Sequence, residues 1–167
     1  MNSVELHNLL QSLIARWENE TIEFKNVGDS YPTSDIGKYF SALANEANLR
    51  GHERAWLVFG VDNKSRKVAG SDYRTNTERL HGLKQQIAEG TQPSMTFREI
   101  YEFAHENGRV ILFEIPAAPK GIPISWKGHY YARAGESLMA LSIDKQDAIR
   151  AQSLASDWSA GIVPVAS

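Results

Sequence analysis

The sequence of 167 residues contains no cysteine, which excludes disulfides and thiolate metal sites. No apolar stretch approaches the roughly 18 residues that a membrane-spanning helix needs. Residues 1–16 also lack the basic and apolar blocks of a signal peptide. Charge of one sign is not in excess, since the net charge is −2, and this argues against a protein that coats nucleic acid indiscriminately. These absences predict a cytoplasmic protein without membrane association.

Several motifs of known enzyme chemistry are missing as well. The five histidines are scattered and do not have the spacing of zinc ligands. The phosphate-binding motif G-x4-G-K-[ST], the dinucleotide motif G-x-G-x-x-G and the nucleophile motif G-x-S-x-G do not occur. The sequence therefore argues against a zinc enzyme, a P-loop nucleotide hydrolase, a Rossmann dehydrogenase and a serine hydrolase.

The composition is that of a globular protein. Hydrophobic residues make up 42% of the chain and charged residues 23%, which lies within the ordinary range for such domains. The length suffices for one well-packed core and is too short for two ordinary domains. A single domain is expected.

The first third of the chain predicts a helix, a strand, a second helix and a second strand. Apolar residues at helical spacing indicate an N-terminal helix, placed at residues 1–14, which Ser3 can cap. In the segment 21–25, the side chains of Ile22 and Phe24 point to one face of an edge strand. Glu23 and Lys25 point with Thr21 to the other face, which is expected to be solvated. A helix from Ser34 and the apolar run 55–61 then complete a βαβ unit with parallel strands.

The remaining predicted elements complete the domain. They comprise a helix at 76–89, two strands at 96–104 and 109–115 joined by a hairpin at Asn107-Gly108, two short strands around Lys127-Gly128, and a helix from about 142 to 154. The predicted fold class is α/β (α+β): a single domain with a mixed β-sheet, a βαβ unit, a β-hairpin and helices packed on the sheet.

The βαβ unit places polar residues at one edge of the sheet. Glu23 and Lys25 at the end of the first strand are expected near Asp62 at the end of the second, and ligands bind at this edge in open α/β sheets. The segment 50–84 holds eight basic and four acidic residues. Such a local surplus of positive charge is compatible with a phosphate-binding face.

Four sequence blocks resemble the Schlafen AlbA domain. They are E-N-E-T-I-E-F-K at 18–25, S-A-L-A-N at 41–45, F-G-V-D-N at 59–63 with Gly70, and Y-Y-A-R-A-G-E-S at 130–137. The resemblance places a Schlafen AlbA-like domain at 15–140. It implies that 141–167 form a C-terminal helix and tail leading to a downstream region.

The resemblance implies a DNA-binding domain of a transcriptional regulator, with DNA rather than RNA as the partner and no cofactor needed for binding. Basic side chains on loops at a sheet edge contact phosphates. The candidates are Lys25, Lys64, Arg66, Lys67 and Arg133. For Arg133, an ion pair with Glu136 or with a buried acid is the structural alternative. An exposed edge strand could also pair two copies into a homodimer.

The nuclease members of the same group imply a second function. Their three carboxylates correspond to Glu18, Glu23 and Asp62, which would act as a catalytic site that holds Mg²⁺ or Mn²⁺. The structural alternatives are a turn acid for Glu18, a partner of Lys25 for Glu23 and an Asx turn for Asp62. A non-catalytic ligand-sensing or protein-interaction domain is the third possibility.

Overall fold

The computed structural model describes residues 1–16 and 20–152 of the chain. The helices within these residues are α1 (Ser3–Ala15), α2 (Thr33–Leu49), α3 (Thr77–His81), α4 (Leu83–Gly90) and the described part of α5 (143–152). The strands are β1 (Ile22–Lys25), β2 (Arg54–Phe59), β3 (Thr91–Gln92), β4 (Glu99–His105), β5 (Gly108–Pro116), β6 (Ser125–Trp126), β7 (His129–Ala134) and β8 (Ser137–Ala140).

The strands form two four-stranded sheets. The first sheet has the order β1-β2-β5-β4 and is mixed, because β1 pairs parallel to β2 while the other pairs are antiparallel. Helix α2 connects β1 to β2, so the predicted βαβ unit is confirmed. The second sheet has the order β3-β6-β7-β8 and is antiparallel throughout. The predicted mixed α+β fold with a hairpin, here β4–β5, is confirmed.

Each face of the first sheet is covered by a separate apolar cluster. On one face, Ile22 and Phe24 of β1 pack in a cluster with α1 residues that include Leu10 and Leu13. On the other face, alternate residues of β2 such as Leu57 pack against α2. This alternation is the period-2 pattern of a strand buried on both sides.

Two polar residues of α2 attach the second sheet to the helix. The Ser41 hydroxyl donates to the Ile124 carbonyl at 2.7 Å and accepts from the Tyr131 amide at 3.1 Å. The Asn45 side chain accepts from the Ile124 amide at 2.8 Å and donates to the Ile124 and Tyr131 carbonyls at 3.0 Å each. These buried groups bond the backbone of β7 and of the residue that precedes β6. The block 41–45 therefore has a structural role that its small residues alone did not indicate.

Some predicted boundaries require correction. The helix expected at 76–89 is interrupted at Gly82, which ends α3 and precedes α4. The cap of α1 is Asn2 rather than Ser3, with a reciprocal capping box between Asn2 and Glu5. The predicted C-terminal helix is present from 143, while its predicted end and the tail lie outside the described residues. None of the described helices combines the length and apolar character required to cross a membrane.

Candidate functional site

Glu23 is buried rather than displayed on a solvated face. Its relative exposure is 2%, although β1 is the edge strand of its sheet. The prediction of a solvated polar face is therefore wrong at this position. The physical reason is that Glu23 is in register with Leu57 and therefore points to the face that α2 covers, while Arg133 of β7 covers the free edge of β1.

Arg133 forms a buried ion pair with Glu23. Its Nη2 lies 2.9 Å from Glu23 Oε2, and both side chains are at most 3% exposed. Its Nη1 donates to the Ile22 carbonyl at 3.0 Å, so the same guanidinium also satisfies the backbone of the β1 edge. This geometry matches the structural alternative predicted for Arg133, an ion pair with a buried acid.

Burial and neighbouring charges oppose each other at Glu23. Desolvation raises the pKa of this carboxyl above its ordinary value, and the positive charges of Arg133 and then Lys25 act to lower it. Lys25 Nζ lies 3.9 Å from Glu23 Oε1 and 4.7 Å from the centroid of the Tyr39 ring. The side chain of Lys25 is 28% exposed, so part of its surface remains accessible to a ligand.

Asp62 begins a turn at the end of the strand that pairs with β1. Its Oδ1 accepts from the backbone amides of Lys64 at 2.9 Å and Ser65 at 2.8 Å. The hydrogen bond from the Ser65 amide, and after it that from the Lys64 amide, holds the pKa of Asp62 below its ordinary value. The loop is closed by a hydrogen bond of 2.9 Å from the Asp62 amide to the Lys67 carbonyl. Asp62 therefore forms an Asx turn, the structural alternative that the sequence predicts for it.

The two described members of the carboxylate triad already have protein partners. Glu23 is paired with Arg133, and Asp62 accepts two backbone amides. In residues 1–16 and 20–152, no three His, Asp or Glu side chains come close enough to hold a metal ion. On their own, the described residues thus do not fit a divalent cation. Glu18 lies outside the described residues, and the complete triad stays a prediction.

The basic residues assigned to phosphate contact differ in accessibility. Lys64 and Lys67 are exposed on the 62–67 loop. Arg66 is half-buried, with its guanidinium carbon 4.7 Å from the centroid of the Phe24 ring. Its Nε donates to the Asn63 carbonyl at 3.1 Å and its Nη1 to the Arg16 carbonyl at 3.0 Å, so it binds the end of α1. Arg133 is only 2% exposed.

A cleft follows the free edge of β1 beside this loop. It consists of two adjoining cavities of about 380 Å³ and 570 Å³, which share Asn63, Arg66 and Glu136 in their walls. The smaller cavity is also lined by Glu20, Ile22, Arg133 and Gly135, and the larger by Ile14, Ala15, Lys64 and Ser65. We call these two cavities the Arg66 cleft. It brings together the end of α1, the 62–67 loop and the β7–β8 turn.

Sequence patterns assigned no binding role to three residues near this site. Glu46 of α2 is 1% exposed and lies 2.7 Å from Lys145 Nζ of α5 and 3.5 Å from Arg50 Nε. An acid within a row of small buried residues is the signal that could have identified it. Asn63 and Glu136 line the cleft, and both lie inside blocks used for the family resemblance. Their roles depend on tertiary contacts that the blocks alone do not define.

Proteins of known structure are similar to this chain in fold. The Corynebacterium diphtheriae DIP2311 protein matches in its crystal structure with a TM-score of 0.60 and 15% identity. That match covers 89% of this chain and 29% of the DIP2311 chain, so this chain spans less than a third of the other protein. The N-terminal domain of a RecG-related protein from Nitrosomonas europaea has a TM-score of 0.49 and 21% identity, over 86% of this chain and 95% of that domain.

The search of curated proteins returned no match. The family model described as Schlafen, AlbA_2 matches residues 18–142, which include β1, the 62–67 loop and the β7–β8 turn. The match covers most of the chain and includes all four sequence blocks. The chain therefore belongs to the Schlafen AlbA_2 family.

Proposed function

We propose that this domain binds nucleic acid, with DNA preferred over RNA, as the DNA-binding part of a transcriptional regulator. The observation behind the proposal is the 62–67 loop, which presents exposed Lys64 and Lys67 at the carboxyl edge of the parallel strand pair. The Asx turn of Asp62 fixes the backbone of this loop. Lysines held on a fixed loop contact phosphates without reading the base sequence.

The partly exposed Lys25 lies at the end of β1, where its carbonyl accepts from the Gly60 amide at 2.9 Å. It extends the basic surface from the 62–67 loop along the same edge. Arg133 has a positioning role in the proposal, because its guanidinium is buried against Glu23. Family membership supports a function related to nucleic acid, and the exposed lysines of the loop support its assignment to this surface.

Replacing both exposed lysines tests the proposal. In Lys64→Gln/Lys67→Gln, we expect weaker binding to DNA and a dependence of log K on log salt that is less steep by about 1.4–1.8, because each lost phosphate contact removes about 0.7–0.9. Fluorescence anisotropy with labelled single- and double-stranded DNA and RNA at several salt concentrations measures both quantities. Including RNA tests the choice of DNA directly.

The matched control is Arg98→Gln/Lys120→Gln, which removes the same charge from two exposed residues. The Arg98 amide donates to the Glu114 carbonyl, and Glu114 pairs with Trp56 near the start of β2. Arg98 therefore lies at the opposite end of the strands from the 62–67 loop. Lys120 follows Pro119, whose carbonyl accepts from Asn48 near the end of α2. Equal loss in both double variants would contradict the proposed surface. Cleavage of the probe with Mg²⁺ or Mn²⁺ would instead support the three-carboxylate nuclease.

A further inference from the structure

The Arg66 cleft offers a binding site next to the lysines of the 62–67 loop. Its smaller cavity of about 380 Å³ lies within the roughly 300–1,000 Å³ of pockets that enclose a small organic group. It adjoins the larger cavity, which Lys64 lines. A nucleic-acid strand whose phosphates contact this loop therefore has a cavity of suitable size beside its backbone.

The charges in the cleft favour a polar, neutral group over a phosphate. Glu136 and Arg66 line the smaller cavity together with Glu20, which is ion-paired with Arg50, and Arg133, which is ion-paired with Glu23. The negative charge of Glu136 also reaches the buried Glu23, where it raises the pKa of that carboxyl. A phosphate inside this cavity would meet like charge, whereas a group with N–H donors and carbonyl acceptors would find complementary partners.

Arg66 provides a planar surface with a restricted orientation. Phe24 lies under its guanidinium, and hydrogen bonds to Asn63 and Arg16 hold Nε and Nη1. Within residues 1–16 and 20–152, Nη2 has no hydrogen-bond partner, which leaves its two N–H groups for a ligand. Arginine planes held in this way are surfaces on which unpaired bases stack.

Two side chains of the cleft supply polar groups that the fold does not use. In the part of the chain that the structure describes, the side chains of Asn63 and Glu136 form no hydrogen bond or ion pair. An asparagine amide both donates and accepts, and a glutamate carboxylate accepts from amino groups of bases. These groups match the edge of a nucleobase.

We propose that the Arg66 cleft takes up an unpaired nucleobase of a single-stranded segment, which stacks on Arg66 while Asn63 and Glu136 contact its edge. This inference rests on the proposed function, because the phosphates beside the base would be held by Lys64 and Lys67. Bases with an exocyclic amino group (adenine, cytosine and guanine) are favoured over thymine and uracil, since only they offer that donor to Glu136.

Single and double strands of matched sequence and length distinguish this inference from the proposed function. We expect the native chain to bind the single strand more tightly than the duplex. Glu136→Gln and Asn63→Ala should each lower single-strand affinity about fivefold to tenfold and leave duplex affinity unchanged, because duplex bases are not available to the cleft. Glu136→Gln should also narrow the difference between amino-bearing oligonucleotides and oligothymidylate.

Arg66→Lys separates the planar surface from the positive charge. We expect a loss of about tenfold in single-strand affinity with an unchanged salt slope, since the charge stays and the stacking plane is lost. Thermal unfolding of this variant shows whether the protein stays folded when the contacts of Arg66 with α1 are changed. If Arg66→Lys does not fold, the two variants at Glu136 and Asn63 decide the question.

Several outcomes would overturn the inference. Salt-dependent binding with equal affinity for single strand and duplex would refute the base site and leave the phosphate surface intact. A parallel fall in both affinities for Glu136→Gln and Asn63→Ala would do the same. Displacement of the oligonucleotide by an equal concentration of nucleoside monophosphates would show that the cleft binds free nucleotides instead. No binding to either strand form would refute the proposed function as well.

Discussion

Arg133→Gln is expected to lower the free energy of unfolding at pH 7 by about 3–5 kcal/mol, because it leaves the Glu23 carboxylate buried without its principal counter-charge. Both side chains are at most 3% exposed, so solvent does not replace the lost partner. The variant also loses the hydrogen bond to the Ile22 carbonyl at the free edge of β1. Urea unfolding at equilibrium measures the difference.

This loss should depend on pH in a defined direction. Burial already raises the pKa of Glu23, and removing the positive charge of Arg133 raises the pKa further. A carboxyl whose pKa is higher in the folded state stabilises the fold when protonated. That contribution is fully present below the ordinary value of 4.5 and is lost as the pH rises through the folded-state value. The deficit relative to the native protein should therefore shrink between pH 7 and pH 5.

Two further variants control this experiment. Arg98→Gln makes the same substitution at an exposed arginine and should change stability by less than about 0.5 kcal/mol. Glu23→Gln/Arg133→Gln removes both charges and should be more stable than Arg133→Gln alone at pH 7. If Arg133→Gln costs no more than Arg98→Gln, or if its deficit is the same at both pH values, the buried ion pair of Arg133 with Glu23 does not stabilise the fold.

Trp126→Ala should also cost about 3–5 kcal/mol, since it empties a large volume in the core. The indole is 4% exposed and is contacted by glycines from two helices. A Cβ built on Gly37 of α2 would lie 2.1 Å from Trp126 Cε2, and one on Gly90 of α4 would lie 2.2 Å from Cζ3. These glycines allow both helices to approach the ring closely.

The coupling between Gly37 and Trp126 distinguishes close packing from a simple loss of apolar area. Gly37→Ala alone should destabilise the protein by about 1–3 kcal/mol through overpacking. In the Trp126→Ala background it should be neutral or stabilising, because the ring is absent and alanine favours the helix by about 1 kcal/mol. Chemical denaturation of the four proteins in this cycle measures the coupling. Equal effects of Gly37→Ala in both backgrounds would contradict the packing described.

The sequence was sufficient for those parts of the fold that depend on local pattern. The alternation of Ile22 and Phe24, the apolar run before Asp62 and the Asn107-Gly108 turn correctly predicted strands that the structure contains. The break at Gly82 was missed because the apolar positions on both sides of it keep a helical spacing. The fit of Trp126 against two glycines could not be predicted, since it joins residues distant in the chain.

The candidate site divides in the same way. Asp62 and the exposed lysines belong to one local turn, and their types and spacing made them recognisable. The burial of Glu23 depends on α2 and on Arg133, more than a hundred residues later, whereas alternation along β1 alone implied a solvated face. Glu46 of α2 contacts Lys145 of α5, and Glu136 lines the Arg66 cleft, which several elements form. Their importance follows from the packing of the second sheet on α2, which no local pattern encodes.

Backbone amide chemical-shift mapping with a single-stranded oligonucleotide locates the bound nucleic acid on the protein surface without any substitution. We expect the largest shifts on residues 62–67 and at Glu136, and we expect added salt to reverse the shifts of the 62–67 loop. Residues around Arg98 and Lys120, at the opposite end of the strands, should not respond. Shifts concentrated at that opposite end, or none at the 62–67 loop under saturating oligonucleotide, would contradict binding at the 62–67 loop and the Arg66 cleft.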